Sequence, residues 1–267
     1  MSDSAIAQLP DRQAAVTFRA GGAAAFWLPV WTLWQRELVR FWRQKSRVLG
    51  VVASPLVFWL LMGYGSGNLA RFFAGALVLT VMFSAIFSTI SIIEDRREGF
   101  LLSMLVSPAS RTSMVLGKIL GAATLAWIQG LIFLAFAPLA GVRIDLLQLV
   151  AAVGAIFLIS FTLTGLGFVI AWKMDSTQGF HAIMNLLLVP MWMVSGALFP
   201  MSTAHGWIRA LMWANPLTYS ISLLNGLLHL ESGPGTAVSL AVTAIFGLVL
   251  LTVSGVMAGQ KSTRSNA

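Results

Sequence analysis

A chain of 267 residues that is 58% hydrophobic and only 10% charged, with a mean hydropathy of +0.85, lies outside the usual range of soluble domains and reads as a membrane protein. The absence of cysteine excludes disulfides, thiolate metal sites and cysteine nucleophiles. The net charge of +8 suggests nucleic acid at first sight, but the basic residues flank apolar blocks and form no single soluble patch, so nucleic acid is not an expected partner.

Residues 1–24 scatter Asp3, Asp11, Arg12 and Arg19 among alanines and glycines, with no apolar run before a cleavage site. They are expected as a flexible cytoplasmic tail, and 25–267 as a single transmembrane domain. Next comes FWLPVWTLWQRELVRFWRQKSR, in which Trp27, Trp31, Trp34, Leu38 and Phe41 recur at helical spacing on one face and Arg36, Arg40, Arg43 and Arg47 on another. That charge density forbids a crossing, and tryptophan beside arginine suits the headgroup layer of membrane lipid. An amphipathic helix in the cytoplasmic membrane surface is expected, either as a plain anchor or with its polar face turned to a cytoplasmic partner.

Six uncharged blocks then have the length of membrane spans: about 48–66, 72–93, 119–140, 146–171, 180–199 and 236–258. An even number puts both termini on one side. With that topology all of the 17 Lys and Arg residues except Arg71, Arg143 and Arg209 share the side of the termini, which the positive-inside rule makes the cytoplasm. Pro55, Gly63, Asn185, Pro190 and Ser195 interrupt or polarise the first and fifth spans, which are expected to face a translocation path. Six helices with so few polar interior groups cannot enclose a wide path alone, so the path is expected to be shared with a second copy.

After the second span the sequence reads EDRREGFLLSMLVSPASRTSMVLGK. Five charges in a row at mid-bilayer would cost about 2.5 to 3.5 kcal/mol each, so the span is expected to stop at Ile93 and leave Glu94 to Glu98 facing the cytoplasm. Gly99 then permits a turn into a short helix bearing Phe100, Leu102 and Leu105, which Ser107-Pro108 terminates. Such a helix either rests on the bundle or works as a lever against another protein. Between spans five and six lie STAHGWIRALMWA and PLTYSISLLNGLLHL, helix-like but too short to cross, divided at Asn215-Pro216 and followed closely by Tyr219. These are expected as outer re-entrant helices that seal or gate the bundle.

Elements of catalysis are missing. His181, His205 and His229 lie in separate segments without a second ligand at metal spacing, Gly-x-Ser-x-Gly does not occur, and the GKIL at 117–120 lacks the rest of a phosphate loop. No metal and no directly bound cofactor is expected.

Taken together, the loop EDRREGFLLSMLVSPASRTSMVLGK, the segment VSGALFPM and the segment NPLTYSISLLNGLL resemble the type-2 permeases of ATP-binding cassette (ABC) exporters, in the same order along nearly the whole chain. The resemblance implies an all-α integral membrane subunit with six spans, an N-terminal interfacial helix, a cytoplasmic coupling helix and outer re-entrant helices. It also implies a multi-pass subunit of a bacterial inner membrane, paired with a second permease protomer, identical or related. Separate cytoplasmic ABC ATPase subunits would bind ATP-Mg. The segment matching the family's coupling helix is Glu94 to Pro108, with Glu94, Arg97, Glu98, Gly99, Phe100, Leu102, Leu105 and Pro108 as its coupling residues. An ATPase-independent secondary transporter or lipid flippase is the alternative, and it would be expected to show membrane carboxylates. An integral-membrane enzyme is a third class and lacks its constellation. The transported substrate stays open among drugs, lipids and saccharide conjugates.

Overall fold

The computed structural model describes residues 23–43, 45–105, 107, 109–230 and 233–260, with the side chains at 23–24, 45–49, 101–102, 105 and 260 left undescribed. Residues 1–22 of the expected tail 1–24, Pro108, Lys261 and Arg264 fall outside these residues, as do the side chains of Arg47, Leu102 and Leu105, while Ala23 and Ala24 already belong to the first helix.

The described chain is all-helical, in the order α1 (Ala23–Trp42), α2 (Lys45–Ser66), α3 (Leu69–Arg97), α4 (Phe100–Leu105), α5 (Arg111–Leu134), α6 (Leu146–Lys173), α7 (Thr177–Trp192), α8 (Gly206–Ala214), α9 (Pro216–Leu227) and α10 (Thr236–Gln260). Among the described residues five helices are long and apolar enough to cross a membrane: α3, α5, α6, α7 continued to Ala197, and α10. The first expected span corresponds to α2, whose apolar stretch Gly50–Ser66 is shorter. The third expected span is also shortened. Its helix stops at Leu134, and Ala137–Ala140, containing Pro138, forms a 3-10 turn closed by Gly141 at φ +74°.

α3 is the axis of the bundle. It is buried from Phe72 almost without interruption to Ile93, and α2, α5, α6, α7 and α9 all pack on it. Glycines set the closest approaches: a Cβ at Gly130 of α5 would come within 2.6 Å of Ile156 on α6 and 2.7 Å of Val81 on α3. α10 lies at the periphery and leaves Leu240, Ile245, Leu248 and Val256 exposed, as a lipid-facing helix does.

α1 does more than float on the membrane surface. Gly117 and Gly121 of α5 let it approach closely, a Cβ at either meeting Val30 O at 2.9 Å or Glu37 Cβ at 2.7 Å. The Trp34 indole donates to Thr124 Oγ1 of α5 at 3.1 Å. Trp27 and Trp31 stay exposed.

Candidate functional site

Three places gather the residues singled out by sequence: the C-terminal end of α3 with α4, a cleft between α2 and α7, and the broken end of α7.

At the first, α3 does not stop at Ile93. The helix runs on to Arg97, and Asp95 turns inward instead of facing water, with none of its surface exposed. A buried carboxylate needs cations and hydrogen bonds around it, and α1 supplies them. Arg36 and Arg40, one turn apart on the same face, reach Asp95 together. Arg36 binds it as a two-pronged fork at 2.8 and 3.1 Å, and Arg40 donates at 3.1 Å and also to Glu94 at 2.5 Å. From α5, Lys118 bonds both Asp95 and, at 2.9 Å, the buried Glu37. Hydrogen bonding to Asp95 raises the Arg36 pKa above its already high ordinary value, against the effect of burial, so this cation stays charged at any physiological pH.

The polar face of α1 is thus engaged within the protomer at Arg36 and Arg40, whereas Arg43 is exposed. Sequence reasoning missed Asp95, Glu37 and Lys118 as one unit. The only local signal was an acid inside an arginine stripe and a lysine opening an apolar helix.

Gly99 turns the chain at φ +75°, in the left-handed region where glycine is at ease, and its missing Cβ faces open space. α4 then packs back against α3. Phe100 sits under the Arg36 guanidinium, 3.8 Å from Cζ to ring centroid, and Met104 is buried near Met114, Phe168 and Trp172. Ser103 is exposed. Glu98 remains largely solvated, 3.9 Å from Arg40.

The loop's basic residues also bind helix ends. Arg96 donates to Trp172 O at 2.5 Å, to Met174 O at 3.0 Å and to Asp175 at 2.8 Å, and Arg97 donates to Asp175 O at 3.1 Å. Arg111 caps α10 through Ala258 O and Gly259 O at 3.1 and 2.8 Å.

The second place is a cleft of about 570 Å³ walled by Val51 and Ser54 of α2, Phe83, Phe87, Ile90 and Glu94 of α3, and Thr177, His181 and Asn185 of α7. Such a volume suits a small amphipathic molecule. Phe83 and Phe87 stack at 5.8 Å, and His181 lies 5.2 Å from Phe87. Of the residues expected to line a path, Asn185 is in this cleft and Pro190 is exposed on α7. Pro55, Gly63 and Ser195 are buried in the protomer. A Cβ at Gly63 would meet Leu69 Cδ2 at 2.5 Å, and Ser195 donates to Trp192 O.

At the third place α7 ends in a π turn, Met193–Ala197, with non-helical angles at Val194 and φ +91° at Gly196. Asn215, between α8 and α9, donates to Met191 O at 2.6 Å and Val194 O at 3.2 Å and accepts from Leu217 N at 3.0 Å, while Pro216 fills the first position of α9. Tyr219 donates to Trp213 O at 2.9 Å.

Among the described residues no group of His, Asp and Glu is placed to hold a metal. The chain is similar to transport permease ycf38 of Cyanophora paradoxa, 25% identical over 72% of this chain and 71% of that protein. It is likewise similar to Nodulation protein J of Rhizobium leguminosarum bv. viciae, 26% identical over 89% of this chain and 95% of the relative, and of Sinorhizobium fredii, 25% identical over 84% and 88%. The model of the ABC-2 type transporter family matches residues 29–228, and this chain, a multi-pass helical membrane protein, belongs to that family.

Proposed function

We propose that the protein is the permease subunit of an ABC exporter in a bacterial inner membrane, with both termini cytoplasmic. Two copies, or this chain and a related one, form the path between them, and separate ATPase subunits drive it from the cytoplasm. One observation supports this reading most: a single turn of α3 serves both ends of the task. Glu94 lines the cleft between α2 and α7 and bonds Arg40, while its neighbour Asp95 holds Arg36, which stacks on Phe100 of α4. A push on α4 is therefore carried into the wall of the cleft through ionic contacts gathered on the buried Asp95 instead of flexible loop. α4 supplies the docking helix, with Glu98 and Arg97 at its exposed rim. ATP and Mg²⁺ belong to the partner.

Asp95 also bears on the ATPase-independent reading. A proton- or ion-coupled carrier needs a carboxylate free to exchange its charge, and Asp95 is held by Arg36, Arg40 and Lys118 at once.

Purification from native membranes in mild detergent tests the proposal. A stoichiometric ATPase subunit is expected to elute with the permease, and Gly99→Pro is expected to release it while leaving the permease inserted. Reconstituted protein that transports without any ATPase would overturn the reading.

A further inference from the structure

We propose that Asn215 is the latch of an outer gate: its side chain ties the broken end of α7 to α9, and its release opens the path on that side. The proposal rests on the reading above, in which α7 lines the path and α8 and α9 lie at its outer end.

The break in α7 has local causes. Pro190 has no N–H to give Leu186 O, and Val194 and Gly196 leave helical angles. A helix that stops leaves its last carbonyls to find donors elsewhere. Two of them, Met191 O and Val194 O, find both N–H groups of one amide, and the oxygen of that amide caps α9 by accepting from Leu217 N. Asn215 is 7% exposed, so solvent offers these groups little substitute.

The two bodies it joins are each fixed from behind. The end of α7 is held on α3, where Trp192 Nε1 donates to Gly75 O at 2.8 Å and a Cβ at Gly75 would come within 2.9 Å of Ala197 Cβ. α9 is packed on α10 so tightly that a Cβ at Gly226 would lie 2.2 Å from Thr236 Oγ1. Asn215 thus sits at the contact where α9 also packs directly on Met193–Ala197, and its three hydrogen bonds are the directional part of that contact, made or broken as the two elements shift against each other.

Asparagine is the residue this position requires. Its amide offers two donors and an acceptor together. Aspartate keeps the shape and the α9 cap but sets carboxylate oxygens against two carbonyl oxygens, so it should push the contact apart. Serine also keeps the cap and simply lacks the donors.

The cysteine-free chain allows a direct test. Asn185→Cys, placed in the cleft on α7, is exposed to a membrane-impermeant maleimide from the outside of sealed cells. The otherwise native chain is expected to label slowly. Adding Asn215→Asp should raise the rate roughly tenfold or more, the factor that corresponds to losing about 1.4 kcal/mol of closure, and Asn215→Ser should raise it less. Labelling of the Asn215→Asp chain at the native rate, with the ATPase still co-purifying, would overturn the latch and leave the export reading standing. Fast outside labelling of the native background would likewise overturn the latch, since no closed state would exist to be latched, while the export reading stands or falls on ATPase co-purification. If Asn215→Asp and Asn215→Ser both fail to elute as folded protein, the side chain is a structural bracket and the latch is rejected.

Discussion

Replacing Asp95 by asparagine removes one carboxylate from a cluster that, among the described residues, balances Arg36, Arg40 and Lys118 against Glu37, Glu94 and Asp95. Deleting one partner of a buried ion pair costs about 3 to 5 kcal/mol, because the charge left behind stays out of water. Here the arginine side chains retain 31% and 23% exposure, so solvent screens part of their loss. Lys118, at 3%, has no such relief and keeps only Glu37. The low end of the range therefore applies, about 3 kcal/mol, or roughly a 150-fold shift in the unfolding equilibrium. Adding Lys118→Met removes the stranded cation, and the pair should couple by about 1 to 3 kcal/mol, as directly contacting residues do. Unfolding of purified protein by sodium dodecyl sulfate in mixed micelles, followed by tryptophan fluorescence, reads both quantities. An Asp95→Asn protein with the native midpoint, or a double variant whose loss equals the sum of the two single losses, would show that the cluster is not a cooperative unit and would remove the mechanical link from α4 to the cleft.

Gly99→Ala should cost about 1 to 2 kcal/mol, since φ +75° is strained for any residue with a Cβ although no atom stands in its way. Gly99→Asn should cost less because asparagine tolerates that region, and retained ATPase in co-purification separates the two. His205→Cys should react with an impermeant reagent only from the outside; labelling solely from the cytoplasm would reject the six-span topology. Single cysteines at the exposed Leu61 of α2 or Leu186 of α7 should form cross-links between protomers, and their absence at every tested position on both helices would count against a shared path.

Much of this protein was determined by its sequence alone, because transfer between water and hydrocarbon is a property of each residue where it stands. The apolar blocks, the turn at Gly99 and the division at Asn215-Pro216 could all be read locally, and the structure places helices accordingly. Pairing is another matter. Glu94 to Glu98 read as a hydrophilic run that must leave the bilayer, but whether each charge meets water or protein depends on what crosses nearby. α1 crosses there, and Arg36 meets Asp95 across 59 positions of sequence. The same holds for the residues chosen as path-lining. Gly63 and Ser195 carry the composition of a polar or irregular helix face, but Gly63 admits Leu69 and Ser195 bonds its own helix, whereas Asn185 opens onto the cleft. A small or polar residue in a membrane helix serves close packing as readily as a pathway, and only the positions of the neighbouring helices decide between the two. Asn215 shows both kinds of information in one residue. The proline after it marks a helix start in sequence, but the two carbonyls that its amide serves belong to a helix end 21 and 24 residues earlier, brought there by the packing of α7 on α3 and of α9 on α10.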